Sequence, residues 1–209
     1  DLKSYPRNIK KDLQILRKSK KVDFVYLPKF NDIYEDNKKS KITINKKDKI
    51  LCAKIRKGHF EGVLDVMNRL TKIINPDKIF MGEKDFQQLY LVKNFLKKRY
   101  KTKVISCRTI RGKNKIALSS RNFLLNSSNL NLAGKIYKKL KNIKKKINNK
   151  NDISDYLTYS KKKLEMNLKI KIDYLELRNI KNLKISKTKN NSRLFIAYYL
   201  NNVRLIDNL

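Results

Sequence analysis

The sequence has no tryptophan, a single histidine, His59, and only two cysteines, Cys52 and Cys107, which stand far apart without CxxC spacing. A Cys/His zinc site needs several such ligands together, so that class is excluded, and two unclustered thiols fit a reducing compartment. No apolar run approaches the ~20 residues that cross a bilayer. The opening "DLKSYPRNIKKD" also lacks the apolar core of a signal peptide. A soluble, cytoplasmic protein without a membrane partner is expected. Neither a repeat period nor a Gly/Ser linker appears across 209 residues, a length that fits one domain or two small ones.

Acidic side chains are scarce as well, 18 against 53 basic ones, for a formal net charge of +35. Such an excess raises nucleic-acid binding as a function. Lysine outnumbers arginine 42 to 11, however, and asparagine and isoleucine are also abundant. All three are encoded by A/T-rich codons, so gene composition alone raises them together. Specific readers of nucleic acid depend on arginine forks and interleaved aromatics. Here the lysines are dispersed, and the densest run, "KIYKKLKNIKKKINNK" (135–150), reads as one charged helix face. No specific nucleic-acid partner is expected, only loose adhesion to polyanions at low salt.

What is present is an alternation of periods. Ile9, Leu13 and Leu16 recur at helical spacing, "VDFVYLP" (22–28) reads as a buried strand stopped by Pro28, and Phe60, Val63, Leu64, Met67, Leu70 and Ile74 form one helical stripe. "PDKIFMG" is a short strand, "EKDFQQLYLVKNFLKKRY" a helix beginning beside Lys84 with Phe86, Leu89, Tyr90 and Phe95 inward, and "KVISC" a strand. Alternating strands and helices favour a parallel sheet with crossover helices. Beyond a boundary near residue 112, two lysine-rich helices (128–148 and 152–167) precede three strand-like segments, "KIDYLELRN", "RLFIAYYL" and "VRLID", which make a small helix-plus-sheet unit.

Ligands of open parallel sheets bind beyond the carboxyl ends of the strands, and Gly82 to Asp85 occupies such a junction. A lysine in a helix's first turn opposes the macrodipole by ~0.3–1 kcal/mol unless an anion joins it. Lys84, Asp85 and, one turn on, Gln88 then offer a cation, a carboxylate and an amide, a set suited to a triphosphate, a ribose or metal, and a hydroxy acid. Such a face is also commonly just solvated. The second cluster is "LSSRN", Leu118 to Asn122, where two hydroxyls and a guanidinium can wrap phosphate oxygens. Ser-Ser is equally common in loops and caps.

Taken in order, "YPR" (5–7), "RKGHFEGV" (56–63), "PDKIFMGEKDFQQL" (76–89), "NKIALSSRNFLL" (114–125), "DYLELR" (173–178) and "RLIDN" (204–208) resemble the motif series of the pantothenate synthetase family. The resemblance runs from end to end. It implies an α/β fold: a Rossmann-like nucleotidyltransferase parallel sheet over residues 1–112, forming the ATP- and pantoate-binding domain, and a small α+β C-terminal lid domain over 113–209. It implies an AMP-forming ligase that joins pantoate to β-alanine through a pantoyl adenylate. Gly82, Glu83, Lys84 and Asp85 would bind ATP, with Lys84 on the phosphates and Asp85 near the ribose. Gln88 would hold pantoate, the Ile110 backbone would touch adenine, and Leu118, Ser119, Ser120 and Arg121 would close over the triphosphate. Lys84, Ser119, Ser120 and Arg121 are the catalytic candidates. Mg2+ should accompany ATP, with Asp12 a candidate metal-side carboxylate or simply a surface helix residue. Tyr5 and Arg56 would line the entrance, and His59 would pack or cap its helix rather than act as a base. A homodimer is expected of the intact enzyme.

Departures from the family pattern carry expectations too. Asn114-Lys115 stands where the family has Asp-Gly, so a non-glycine at a positive-φ position would be strained by ~1 kcal/mol. Lys57 and Arg108 replace prolines. The family's opening strand and its PTMGxLHxGH turn have no counterpart before Asp1, so the chain reads as an N-terminally truncated piece. That piece is expected to be inactive by itself and to expose sheet edges. The alternatives are another adenylate-forming nucleotidyltransferase and a basic RNA-associated protein.

Overall fold

A computed structural model describes residues 8–34, 41–147 and 152–209, so Tyr5 lies outside the described residues. The chain forms two compact units, Asp1–Lys41 and Ile42–Leu209. In the first, Asn8 caps helix α1 (Ile9–Ser19) through its side chain, which accepts from Lys11 N, and Lys20 ends it in the left-handed region at φ 51°. A single turn, α2 (Phe30–Ile33), follows. The strand expected at 22–28 is absent. Phe24 is 94% exposed, and the whole stretch is irregular. Apolar content makes a strand only where a neighbour supplies the ladder, and no strand among the described residues pairs with this one.

The second unit opens with a short helix, α3 (Cys52–Ile55). Gly58 then turns the chain at φ +76°, a conformation glycine adopts without penalty, and α4 (His59–Ile74) begins. Helix α4 buries Phe60, Leu64 and Thr71, and Val63 and Met67 pack alongside. The expected stripe ends one step early. Thr71 satisfies its hydroxyl on Met67 O at 2.6 Å, whereas Ile74 is exposed. Strands β1 (Lys78–Gly82) and β2 (Lys103–Cys107) pair in parallel, joined by the crossover helix α5 (Phe86–Leu96). That is the βαβ arrangement the alternating periods imply.

Helices α6 (Ser127–Lys146) and α7 (Ile153–Leu168) precede the antiparallel sheet β3 (Lys171–Asn179), β4 (Ser192–Leu200) and β5 (Val203–Asn208). Strand β4 shows why this sheet sits centrally. Leu194, Ile196, Tyr198 and Leu200 point into one apolar cluster with Ile136 and Leu140 of α6 and Leu157 and Leu164 of α7. The alternate residues Phe195 and Ala197 point into a second cluster with Phe60, Leu64, Leu89 and Val92 of α4 and α5. The two-residue period of a strand thus covers both faces. Each buried Leu or Ile contributes about 1.5–3 kcal/mol.

Candidate active site

The site begins where β1 ends. Gly82 has φ −70° and ψ 134°, which any residue adopts, and a Cβ there would meet nothing within 4 Å. Neither backbone nor packing calls for glycine, and its missing side chain leaves open space above the sheet's carboxyl end, room for a close backbone approach. Glu83 to Asp85 form a 3₁₀ turn, and α5 starts only at Phe86 with Asp85 as its N-cap. The expected helix start at Glu83, with Lys84 in its first turn, is therefore three residues early. Aspartate is a preferred residue at that position, although the Asp85 side chain makes no capping hydrogen bond here. Lys84 Nζ lies 3.7 Å from Asp85 Oδ2, with the Lys84 side chain 15% exposed. The amine is thus held at the protein surface rather than extended into bulk water.

Gln88 is half-buried and makes no side-chain hydrogen bond among the described residues. Its neighbour Gln87 has a different task. Buried, it accepts from Cys52 N at 3.0 Å and donates to Asp48 O at 3.1 Å and Ile50 O at 2.7 Å, pinning the segment before α3 to α5. Of the two adjacent glutamines, one is scaffold and the other is available.

The SSRN segment follows a tight hairpin. Gly112 N donates to Ile116 O and Lys115 N to Gly112 O, and Lys115 occupies the left-handed region at φ 70°. The glycine-like position expected from the motif is occupied by lysine. Leu118 N then donates to Ile110 O at 2.9 Å, and both side chains are exposed. Ser119 starts a 3₁₀ turn (Ser120–Leu124) and accepts from Arg121 N at 3.3 Å. Asn122 Nδ2 donates to Ala117 O at 3.0 Å, while its buried Oδ1 has no partner among the described residues.

Electrostatics bring the two segments together. Burial first, then the guanidiniums of Arg56 and Arg121, pull the His59 pKa from 6.5 to about 4, against a smaller opposing effect of Asp85. Arg56 is lowered by burial and by Arg121, with Asp85 again opposing. His59 Nε2 lies 2.7 Å from Arg56 Nη1, and its ring packs 5.0 Å from Phe60. Arg121 of the loop and Asp85 of the turn thus both lie near enough to Arg56 and His59 to act on their charge. His59 is a neutral packing residue at the start of α4, as its position suggests.

The closing "RLIDN" motif supplies supports that sequence reading left without a role. Asn208 Nδ2 donates to Glu83 O and Lys84 O at 2.8 and 3.0 Å. Glu83 Oε2 accepts from Arg193 Nη2 at 2.7 Å. Asp207 takes Arg111 as a bidentate partner at 2.7 and 2.8 Å, and this outweighs burial to raise the Arg111 pKa. The Glu83 side chain is thus paired with Arg193. A cavity of ≈ 450 Å³ lined by Thr109, Arg111, Lys115, Tyr137, Lys138 and Lys141 contains none of the expected site residues.

Among the described residues no group of three or more His, Cys, Asp or Glu could hold a metal ion, and Asp12 is an exposed residue of α1 in the separate first unit. These side chains alone do not make a metal site.

The pantoate-beta-alanine ligase family profile matches residues 1–209. A pantothenate synthetase of Buchnera aphidicola is 38% identical over 213 residues, covering 100% of this chain and 74% of the relative. This chain belongs to the pantoate-beta-alanine ligase family. A Flavobacterium psychrophilum pantothenate synthetase is 34% identical, with 100% of this chain and 76% of the relative covered. The crystal structure of the Thermus thermophilus enzyme superposes with a TM-score of 0.89 at 26% identity, over 99% of this chain and 75% of that one. The Francisella tularensis pantoate-beta-alanine ligase, solved with beta-gamma ATP and beta-alanine, gives 0.80 at 34% identity, over 100% of this chain and 72% of that one. The ligase family and its nucleotidyltransferase fold account for the parallel βαβ unit and the small antiparallel sheet alike. Neither alternative, another adenylate-forming enzyme or an RNA-associated protein, is favoured by these matches.

Proposed function

We propose that the chain carries the ATP-dependent condensation of pantoate with β-alanine. A pantoate carboxylate oxygen attacks the α-phosphorus of ATP, the bond to the β-phosphate breaks, and pyrophosphate leaves. The β-alanine amine then attacks the acyl carbon of pantoyl adenylate, and AMP departs with one former carboxylate oxygen. The observation that supports this reading is the partly buried Lys84 amine, 3.7 Å from Asp85 in the turn that follows the carboxyl end of β1, where ligands of parallel sheets bind.

In this reading Lys84 and Arg121 offset phosphate charge in a preorganised, partly dehydrated site, and the Ser119 and Ser120 hydroxyls donate to phosphate oxygens. Asp85 accepts from the ribose, Gln88 holds pantoate, and the Ile110 backbone borders the adenine. Residues 1–112 then act as the nucleotide and pantoate domain and 113–209 as the lid. Mg2+ would accompany the triphosphate and offset its charge, needing no more than one or two carboxylates from the protein. A homodimer acting in the cytoplasm completes the proposal. No helix of the described residues is long and apolar enough to cross a membrane.

The test supplies pantoate labelled with 18O in its carboxylate, together with ATP and β-alanine. Label appearing in AMP supports the adenylate route. Product formation without label in AMP, or turnover with other hydroxy acids and none with pantoate, overturns it.

A further inference from the structure

The end of β5 does more than close a sheet. Asn208 is 4% exposed and Asp207 7%, and between them they bond to three other segments of the chain. The Asn208 amide nitrogen donates to two successive carbonyls, Glu83 O at 2.8 Å and Lys84 O at 3.0 Å. Its amide oxygen accepts from Arg193 Nη1 at 2.8 Å. Arg193 turns its other nitrogen to Glu83 Oε2 at 2.7 Å and lies over the Phe86 ring at 4.7 Å. One residue earlier, Asp207 holds Arg111, which also donates to Lys115 O at 3.1 Å in the hairpin that leads into Leu118–Arg121.

The chemistry singles out asparagine at 208. Two carbonyls need a donor with two N–H bonds, and a guanidinium needs an acceptor. A carboxamide supplies both, whereas a carboxylate of the same shape would set an oxygen against two carbonyl oxygens. An apolar residue would remove the donor to both carbonyls and one acceptor of Arg193 in a partly buried place.

We propose that Asn208, assisted by Arg193, is a positioning residue for the ATP-binding turn. It fixes the Glu83 and Lys84 carbonyls so that the Lys84 amine stays at the mouth of β1, while Asp207 ties the serine-arginine hairpin to the same strand end. The two sides of the phosphate site are thereby held by adjacent residues. This rests on the reading of Lys84 as a phosphate ligand.

The test compares Asn208→Asp and Arg193→Lys with Leu164→Val, a mutation in the apolar cluster of α7 chosen to give a similar loss of Tm. Two quantities are read, both on the intact enzyme: amide hydrogen exchange of residues 83–86, and the ATP KM and kcat of pantoate-dependent exchange of pyrophosphate into ATP. In Asn208→Asp the 83–86 amides should exchange ~10-fold faster or more, and the ATP KM should rise ~10-fold with little change for pantoate. Arg193→Lys keeps the charge but loses the fork, so it should show the same pattern at smaller amplitude. Leu164→Val should show neither. Protection at 83–86 no lower than in Leu164→Val would overturn the positioning role whatever the activity, as would an unchanged ATP KM in an active Asn208→Asp enzyme. Absence of pyrophosphate exchange in the wild type, with protection still lost in Asn208→Asp, would instead count against the Lys84 reading and leave the strut in place.

Discussion

Acid should weaken this fold through one residue, and the chain's only histidine makes the effect easy to isolate. His59 is half-buried between Arg56 and Phe60, and burial together with Arg56 and Arg121 depresses its pKa from 6.5 to about 4. Because the folded value lies below the unfolded one, the unfolded chain takes up the proton first. The stability tied to neutral His59 is complete above pH 6.5 and drains away as the pH falls through about 4. At ~1.36 kcal/mol per pKa unit the gap corresponds to at most about 3.4 kcal/mol, and solvent screening of a half-buried group reduces that to about 1–2 kcal/mol. Urea denaturation of the wild type and His59→Gln across pH 7 to 4 should show an extra loss of that size in the wild type alone. Proton NMR of the single imidazole gives the midpoint directly. Added ATP should raise it, because a triphosphate beside Arg56 and Arg121 offsets the two cations that depress it. An imidazole titrating near its ordinary value, about 6.5, in the free protein would refute the cluster, as would a midpoint indifferent to ATP.

The adjacent glutamines should separate cleanly. Gln87→Ala strands Cys52 N, Asp48 O and Ile50 O, so urea unfolding should show a loss of about 2–4 kcal/mol. Gln88→Ala should stay within about 0.5 kcal/mol of wild type yet raise the pantoate KM several-fold. Lys115→Gly relieves the left-handed conformation at φ 70°, and thermal unfolding should report a gain of about 0.5–1 kcal/mol. A loss there would mean that the lysine side chain contributes more than its backbone costs. Gly82→Ala has space for its methyl within the protein, so Tm should hold or rise slightly, whereas ATP affinity by calorimetry should fall.

The sequence made the elements of Ile42–Leu209 legible because each has a clear period. The α4 stripe, the β1–α5–β2 alternation and the two-residue period of β4 each name their own partner face. It misled at 22–28, where apolar residues suggested a strand but pairing, which decides strands, is a property of a neighbour. It also placed the start of α5 at Glu83, although Asp85 is a residue type common at a helix cap. The strained turn at Lys115 was readable from a motif position that asks for glycine. The bonds of Asn208 and Arg193 to Glu83 and Lys84 were not, because they join residues more than a hundred positions apart and no local pattern marks such a contact.

The most direct measurement is pantoate-dependent exchange of labelled pyrophosphate into ATP, run on the intact enzyme as wild type and as Lys84→Ala. The account predicts exchange in the wild type and a loss of ~10²–10³ in the mutant with its fold retained, the usual cost of removing one preorganised charge-stabilising group. Near-equal exchange in the two proteins would contradict the claim that the Lys84 amine meets the nucleotide phosphates.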